Sequence, residues 1–435
     1  MIPGSNRIIY SIKNWARKVK QPIAFVINKE NSNSYGVIVN LGRKGVPVLS
    51  VDSNTKNLNV FSRYSKTIIC PDYKKNEDDY VEFLLDVGKA LNPKPVLFVT
   101  GDTMVVALLR HRKNLERYFH MPMPSLETAT KLVDKREFYR SLELLNIPHA
   151  TTYQPRNLSD AVRISESLDY PYIIKPVESD TFVTKFGNKC LRAASRDELI
   201  SLYKWVSVEE IDVIFQKEIV GTERYLVYMY FNRKSEPIAV CCYKKMRIYP
   251  IDYGNACACE TVWDSEVVTL ALSLLIKFGY CGLAEAEVQR DNSDGRLKLV
   301  EINARSTTEA RLSARAGMNM EYIAYCDAIG QNMDQIQPAI LGVKWMEILR
   351  DIQSVFSAEG YLANRKITVL KWLRSLRGKR EYAFLAWDDP IPFIVLFWRF
   401  LRVYGFRMKN LLVFRRVCKK VFSKINWISN RHKFT

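Results

Sequence analysis

Histidine is scarce in this chain of 435 residues. There are four, His111, His120, His149 and His432, far apart in sequence. That scarcity disfavours an imidazole-built metal centre and a histidine-centred triad. The nine cysteines are scattered, odd in number and without a C-x-x-C pair. Neither a disulfide framework nor a zinc ribbon fits them, and the expected compartment is reduced and cytoplasmic. No run reaches the ~18–20 apolar residues of a membrane span. The opening Met1-Ile2-Pro3-Gly4-Ser5-Asn6-Arg7 lacks the apolar core and cleavage site of an export leader. Acidic residues are missing from 390–435, which hold eleven Lys/Arg, whereas the whole chain carries a formal net charge of +19. The body is therefore mildly basic and the tail strongly so.

What is present is the composition of a globular protein, 48% hydrophobic and 26% charged, which excludes the disordered class. The length predicts two or three domains of ~100–150 residues. The most informative stretch is Leu297-Lys298-Leu299-Val300-Glu301-Ile302-Asn303-Ala304-Arg305. On a strand, its Glu, Asn and Arg share one face. Burying all three unpartnered would cost roughly 1–3 kcal/mol per group, and more for the charges, so something must sit opposite them. Upstream lies Leu283-Ala284-Glu285-Ala286-Glu287-Val288-Gln289, joined to it by the turn-forming Asp291-Asn292-Ser293-Asp294-Gly295. A hairpin folded near Asp294 sets Glu287 beside Glu301. Two carboxylates and an amide oxygen then meet, a donor set that suits Mg²⁺ completed by water and phosphate.

Nearer the N-terminus, strand-length apolar runs at 22–27, 47–52, 67–70 and 96–100 alternate with helical segments, one of them Asp78 to Leu91. This predicts a parallel α/β sheet. Asp102 follows the last run, where such sheets bind ligands, and it equally suits a helix cap. Ser125 to Leu145 reads as one helix, with Lys131 and Lys135 a turn apart. Tyr170 to Pro176 reads as a strand ending in Lys175, a rigidly held point charge fit for phosphate.

In order and spacing, five segments resemble the ATP-grasp superfamily, in its carboxylate–amine ligase branch with carbamoyl-phosphate-synthase-like and D-aspartate-ligase-like proteins. They are Asp134-Lys135, Ile173-Ile174-Lys175-Pro176, Phe215 to Glu223, Glu287, and Glu301-Ile302-Asn303-Ala304-Arg305. The likeness spans about residues 20–330. Lys245 to Pro250, Lys371-Trp372-Leu373 and Trp387-Asp388-Asp389-Pro390 also resemble members of that branch. By this resemblance the cofactors are ATP and Mg²⁺. Lys135 and Lys175 would hold the α- and β-phosphates, and the backbone of Gln216, Lys217, Glu218 and Ile219 would pair with adenine. Glu223 would take the ribose hydroxyls, and Glu287, Glu301 and Asn303 would hold Mg²⁺. Arg305 and Arg247 would be the catalytic cations facing the γ-phosphate or an acyl phosphate. The activity implied is ATP-dependent coupling of a small-molecule, glycan or peptide carboxylate to an amine.

One departure from the family pattern is the phosphate-covering loop. Ser179 to Gly187 has one glycine and two phenylalanines, with Lys185 as a candidate replacement charge. The implied architecture is an N-terminal parallel α/β domain (20–124), a two-lobed α+β ATP-grasp domain (125–330) and a helical, basic C-terminal region (331–435). Within the last, Trp345 to Phe356 and Ile367 to Leu376 read as amphipathic helices. The aromatic, basic stretch 391–435 suits an anionic membrane surface at the inner face of the membrane and equally suits a helix packed on the body. Charge alone also allows nucleic acid. Intact residues at every chemistry-bearing position weigh against the alternative, an ATP-binding non-catalytic protein with a degenerate or regulatory site whose basic tail binds nucleic acid or anionic membrane.

Overall fold

The computed structural model describes residues 5–28, 32–177, 179–333 and 335–404. Its first sheet is four-stranded and parallel: β1 (Ala24–Ile27), β2 (Val48–Asp52), β3 (Ser65–Ile69) and β4 (Val96–Val99), in the order β3-β2-β1-β4. Strands 1, 2 and 4 are buried along their whole length. Continuous apolar runs such as Ala24-Phe25-Val26-Ile27 are what a sheet covered on both faces requires. The helix Glu77–Lys89 covers one face and is capped by Asn76, whose side chain accepts from the Asp79 amide.

A small antiparallel sheet follows: β5 (Thr152–Tyr153), β6 (Tyr172–Pro176), β7 (Leu191–Ala193) and β8 (Val213–Lys217), ordered β5-β8-β6-β7. It has a core of its own, including Ile174, Phe182, Leu199 and Phe215. The third sheet has seven strands: β9 (Arg224–Phe231), β10 (Pro237–Tyr249), β11 (Asn255–Val262), β12 (Gly282–Arg290), β13 (Leu297–Asn303), β14 (Lys344–Met346) and β15 (Arg380–Tyr382). Their order is β13-β12-β9-β10-β11-β14-β15. One hydrophobic core runs from β1 and β2 through Tyr228, Tyr230 and Tyr243 to Trp345 and Phe384, joining the first and third sheets.

Three differences from the sequence expectation have local causes. The helix expected over 125–145 is two, Leu126–Val133 and Lys135–Leu144. Asp134 breaks it by accepting from the amides of Arg136 and Glu137. Residues 179–186, read as a loop, form a helix whose Phe182 and Phe186 rings lie 4.6 Å apart. The region from 331 on is not wholly helical, because β14 and β15, before and after the helices Ile348–Phe356 and Val369–Ser375, extend the third sheet.

The aromatic run at 391 opens as the helix Ile391–Tyr404. Val395 is buried, and Ile391, Phe393 and Leu396 pack on the shared core. That part of the predicted tail is packed on the body, and 405–435 lie outside the described residues. Among the described residues no helix is long and apolar enough to cross a membrane.

Candidate active site

The hairpin has the predicted register. Glu287 lies opposite Glu301 and Glu285 opposite Asn303, with Val300 bulged between the Glu301 and Leu299 pairings. Paired residues of an antiparallel ladder project to the same side. The bulge falls before Glu301, so the alternation of Glu301 and Asn303 is intact. Tyr139 fixes the bulge by donating to the Val300 carbonyl at 2.6 Å. The turn closes through the Asp291 carboxylate, which accepts from the amide and hydroxyl of Ser293, and through Gly295 at φ 72°.

This face of the hairpin forms one wall of a cavity of about 830 Å³ between the small and large sheets. Of the predicted residues, Lys135, Lys175, Gln216, Glu218, Ile219, Glu287, Glu301, Asn303 and Arg305 line it. Lys175 reaches Gln216 Oε1 at 2.7 Å. Burial works to lower the Lys175 pKa, but Tyr139, Cys190, Glu301 and Glu287 outweigh it, and the ammonium is held more firmly than usual. Lys135 Nζ donates to the Val177 carbonyl at 3.4 Å. The 216–223 segment is anchored from behind. Gln289 donates to the carbonyls of Ile219 and Gly221, and Asn292 N donates to the Val220 carbonyl. Gly221 sits at φ 154°, where a Cβ would stand 2.6 Å from the Arg290 carbonyl oxygen, so only glycine lets the backbone approach so closely.

Three predicted residues do not line the cavity. Lys217 turns outward to Asp169 at 3.0 Å, leaving only its backbone available on the cavity side. Glu223 pairs with Lys244 at 2.8 Å and Arg290 at 3.3 Å. Arg247, expected at the γ-phosphate, is buried against Asp351 at 2.5 and 3.1 Å and donates to Ser375 Oγ. The cause is a bulge in β10: Lys245 pairs with Cys259 and Arg247 with the very next residue, Ala258. The extra residue, Met246, sends Arg247 to the opposite face, under the helix Ile348–Phe356.

The same bulge supplies what the sequence reading passed over. Lys245 faces the cavity and meets Glu287 at 2.6 Å. Burial tends to raise the Glu287 pKa, but Lys245 pulls it below the usual carboxylate range. Lys189 also lines the cavity, its ammonium weakened chiefly by burial. Glu285 accepts from Asn303 Nδ2 at 3.2 Å and from Thr307, and burial beside Glu309 raises its pKa. Asp102 holds Arg305 at 2.8 Å, and Arg305 in turn donates to Asn303 Oδ1 at 3.1 Å. Asp102 is the first helical residue after Gly101, so its side chain bridges the first sheet to the third.

The donor set fits a hard divalent cation in part. Glu287 and Glu301 are adjacent and offer carboxylate oxygens, whereas Asn303 Oδ1 is turned to Arg305. Among the described residues no three His, Cys, Asp or Glu converge on a point. Two carboxylates plus phosphate and water oxygens are the usual Mg²⁺ complement.

Solved structures share this fold at low sequence identity. The biotin carboxylase–β,γ-ATP complex from Campylobacter jejuni aligns with a TM-score of 0.59 at 13% identity, over 74% of each chain. The ADP complex of N5-carboxyaminoimidazole ribonucleotide synthetase aligns at 0.57 and 13%, over 73% of this chain and 79% of that one. The chain has the ATP-grasp fold. No protein-family model matches the sequence. Among curated proteins, D-aspartate ligase of Enterococcus faecium (strain Aus0004) is 22% identical over 278 residues, 60% of this chain and 66% of that protein. The arginine-specific carbamoyl phosphate synthase large chain of Eremothecium gossypii is 23% identical over 273 residues, 59% of this chain. The match spans just under two thirds of the first and 24% of the second. Within this fold the cavity lies between the small and large sheets, and β12, β13 and β10 provide its charged wall.

Proposed function

We propose that the protein is an ADP-forming carboxylate–amine ligase using ATP and Mg²⁺. The observation that carries this is a single cavity in which Lys135, Lys175, Lys189 and Arg305 face the paired carboxylates Glu287 and Glu301. Phosphoryl transfer is mostly positioning and charge neutralisation, and this arrangement can do both. Lys135 and Lys175 would hold the phosphates, and the backbone of 216–219 would bind the adenine edge. Glu287 and Glu301 would hold Mg²⁺, which when bound neutralises charge on the phosphate oxygens. Arg305, oriented by Asp102 and Asn303, would steady the transferring phosphoryl group.

In the first step a carboxylate oxygen attacks the γ-phosphorus and ADP leaves with the bond pair. In the second the amine nitrogen attacks the acyl carbon and the C–O bond breaks. Phosphate departs with those electrons and the amine proton passes to solvent.

The experiment is hydroxylamine trapping and ADP release with D-aspartate, L-amino acids and bicarbonate as carboxylate probes. Hydroxamate formed only with ATP and one of the amino-acid probes, or ADP release that needs bicarbonate, is the expected result. ATP binding with no carboxylate-dependent ADP release from any probe would overturn the ligase assignment.

We also propose a cytoplasmic protein that associates peripherally with anionic membrane. The eight described cysteines are free. Residues 365–380 carry seven Lys/Arg and no Asp or Glu. Val369, Leu370 and Leu373 are exposed there, beside exposed Ile352 and Phe356 of the adjoining helix. Exposed aliphatics among cations favour a lipid headgroup boundary over nucleic acid. Co-sedimentation with anionic but not neutral vesicles is expected, and duplex DNA binding in place of vesicle binding would overturn it.

A further inference from the structure

Where the ribose carboxylate was expected at 223, the strand turns its next residue into the cavity. Antiparallel pairing of β9 with β12 sets Arg224 opposite Gln289 and Leu226 opposite Glu287. All four line the cavity between the small and large sheets. Side chains alternate along a strand, so Glu223, one residue before Arg224, falls on the other face with Tyr225. Lys244 serves both on that face, lying 5.5 Å from the Tyr225 ring centroid and 2.8 Å from Glu223, whose second oxygen meets Arg290 at 3.3 Å. The carboxylate is therefore outside the cavity and a guanidinium stands inside it.

The other carboxylates beside the segment 216–219 are engaged. Glu218 accepts from the Tyr253 hydroxyl at 2.5 Å and from Arg192 at 2.8 Å, one bond to each oxygen. Asp252, next to Tyr253 in the turn between β10 and β11, pairs with Lys366 at 3.5 Å. Arg224 differs from the neighbouring cations of the wall. Lys245 is tied to Glu287 and Arg305 to Asp102, whereas the half-buried Arg224 makes no ion pair among the described residues. A guanidinium stays charged and only donates, so one that faces a cavity without a carboxylate is a seat for an anion. The Glu287 carboxylate, which burial would raise, is held down first by Lys245, then by Lys189 and Arg224. The Arg224 charge is thus felt at the paired carboxylates where Mg²⁺ and the phosphates would meet, and phosphate is the anionic part of a nucleotide.

We propose that Arg224 is a phosphate-binding residue of the nucleotide site and that the ribose meets no carboxylate there, so that ATP and 2′-deoxy-ATP are accepted alike. This rests on the nucleotide site of the ligase assignment above.

The test is calorimetry on the full-length chain with ATP and with 2′-deoxy-ATP, each with Mg²⁺. The wild type should bind the two within about fivefold of each other, because a ribose hydroxyl donating to a carboxylate would separate them by roughly tenfold or more. Arg224→Met should weaken both nucleotides in parallel, by roughly tenfold or more, through a lost charge-assisted bond to phosphate. Glu223→Gln should leave both affinities unchanged. A larger wild-type preference for ATP, wild-type ATP affinity in Arg224→Met, a loss in that variant confined to ATP, or weakened ATP binding in Glu223→Gln would each overturn the inference. The wild-type comparison depends on no variant folding. Carboxylate-dependent release of the nucleoside diphosphate is measured on the same samples. If it occurs with ATP and the deoxynucleotide is rejected, the ligase assignment stands and this inference falls. If both nucleotides bind alike, Arg224→Met weakens both and no carboxylate prompts release, the ligase assignment falls and this inference stands.

Discussion

Two strands of the large sheet carry polar or charged residues two positions apart, and each has a bulge beside it. In β13 the bulge at Val300 precedes Glu301, so Glu301 and Asn303 stay on the cavity face opposite Glu287 and Glu285. In β10 the bulge at Met246 falls between Lys245 and Arg247, so one lysine enters the cavity and one arginine leaves it. A period of two fixes the face of a side chain only while the ladder is unbroken. The contrast separates a cavity wall from a structural tie within three residues of one strand.

The largest expected effect tests the wall. Glu301→Gln should lower carboxylate-dependent ADP release by roughly a thousandfold or more, since a metal-bound phosphoryl transition state is worth several kcal/mol. Its thermal midpoint should stay near wild type. Near-normal turnover would remove the metal role from the hairpin.

The next tests the tie. Arg247→Met leaves Asp351 buried without its partner, and breaking such a pair costs about 3–5 kcal/mol. Urea denaturation should show that loss, with nucleotide affinity in the folded fraction unchanged. A stable Arg247→Met protein without turnover would place the arginine back in the chemistry and undo the contrast.

Lys175→Ala should weaken ATP roughly ten- to a hundredfold by calorimetry, through lost charge-assisted hydrogen bonds. Unchanged nucleotide affinity would take Lys175 out of the phosphate site.

The smallest effect sharpens the comparison. Lys245→Met should cost about tenfold in rate, the scale of one hydrogen bond to a charged group, with little loss of stability. It should also move the acid limb of the pH–rate profile. Glu287 is depressed in the folded protein mainly by Lys245 acting against burial. Removing the lysine raises that pKa, so activity dependent on ionised Glu287 should fail at a higher pH than in wild type. An acid limb that stays put would mean that Glu287 does not limit the rate.

The sequence made the hairpin legible because it combined strict alternation with a turn-dense linker, and those two features set register together. The parallel sheet was legible from the length and spacing of its apolar runs. Arg247 was misplaced because a one-residue bulge has no signature in composition. Lys245 was passed over for the same reason, being read as one of a block and not as a residue with a face. The break at Asp134 did carry a signal, since Asp134 and Glu137 have the spacing of a helix-capping pair, but the amphipathic pattern ran through it. Phe182 and Phe186, four apart, hinted at the helix that replaced the expected loop. Strands of three residues, such as Lys344–Met346 and Arg380–Tyr382, are too short for any periodicity, and only pairing with β11 and with each other defines them.

Near its described end the chain returns to the first sheet. Asp388 bonds Arg43 and Tyr64, and Asp389 accepts from Ser62, the Arg63 amide and Tyr35. Covalent order and spatial order therefore differ, and the segment around 388 is clasped by residues more than 300 positions earlier. A single proteolytic nick in the surface segment between Glu359 and Lys366 would then separate the fragments on a denaturing gel while a native gel still showed one particle.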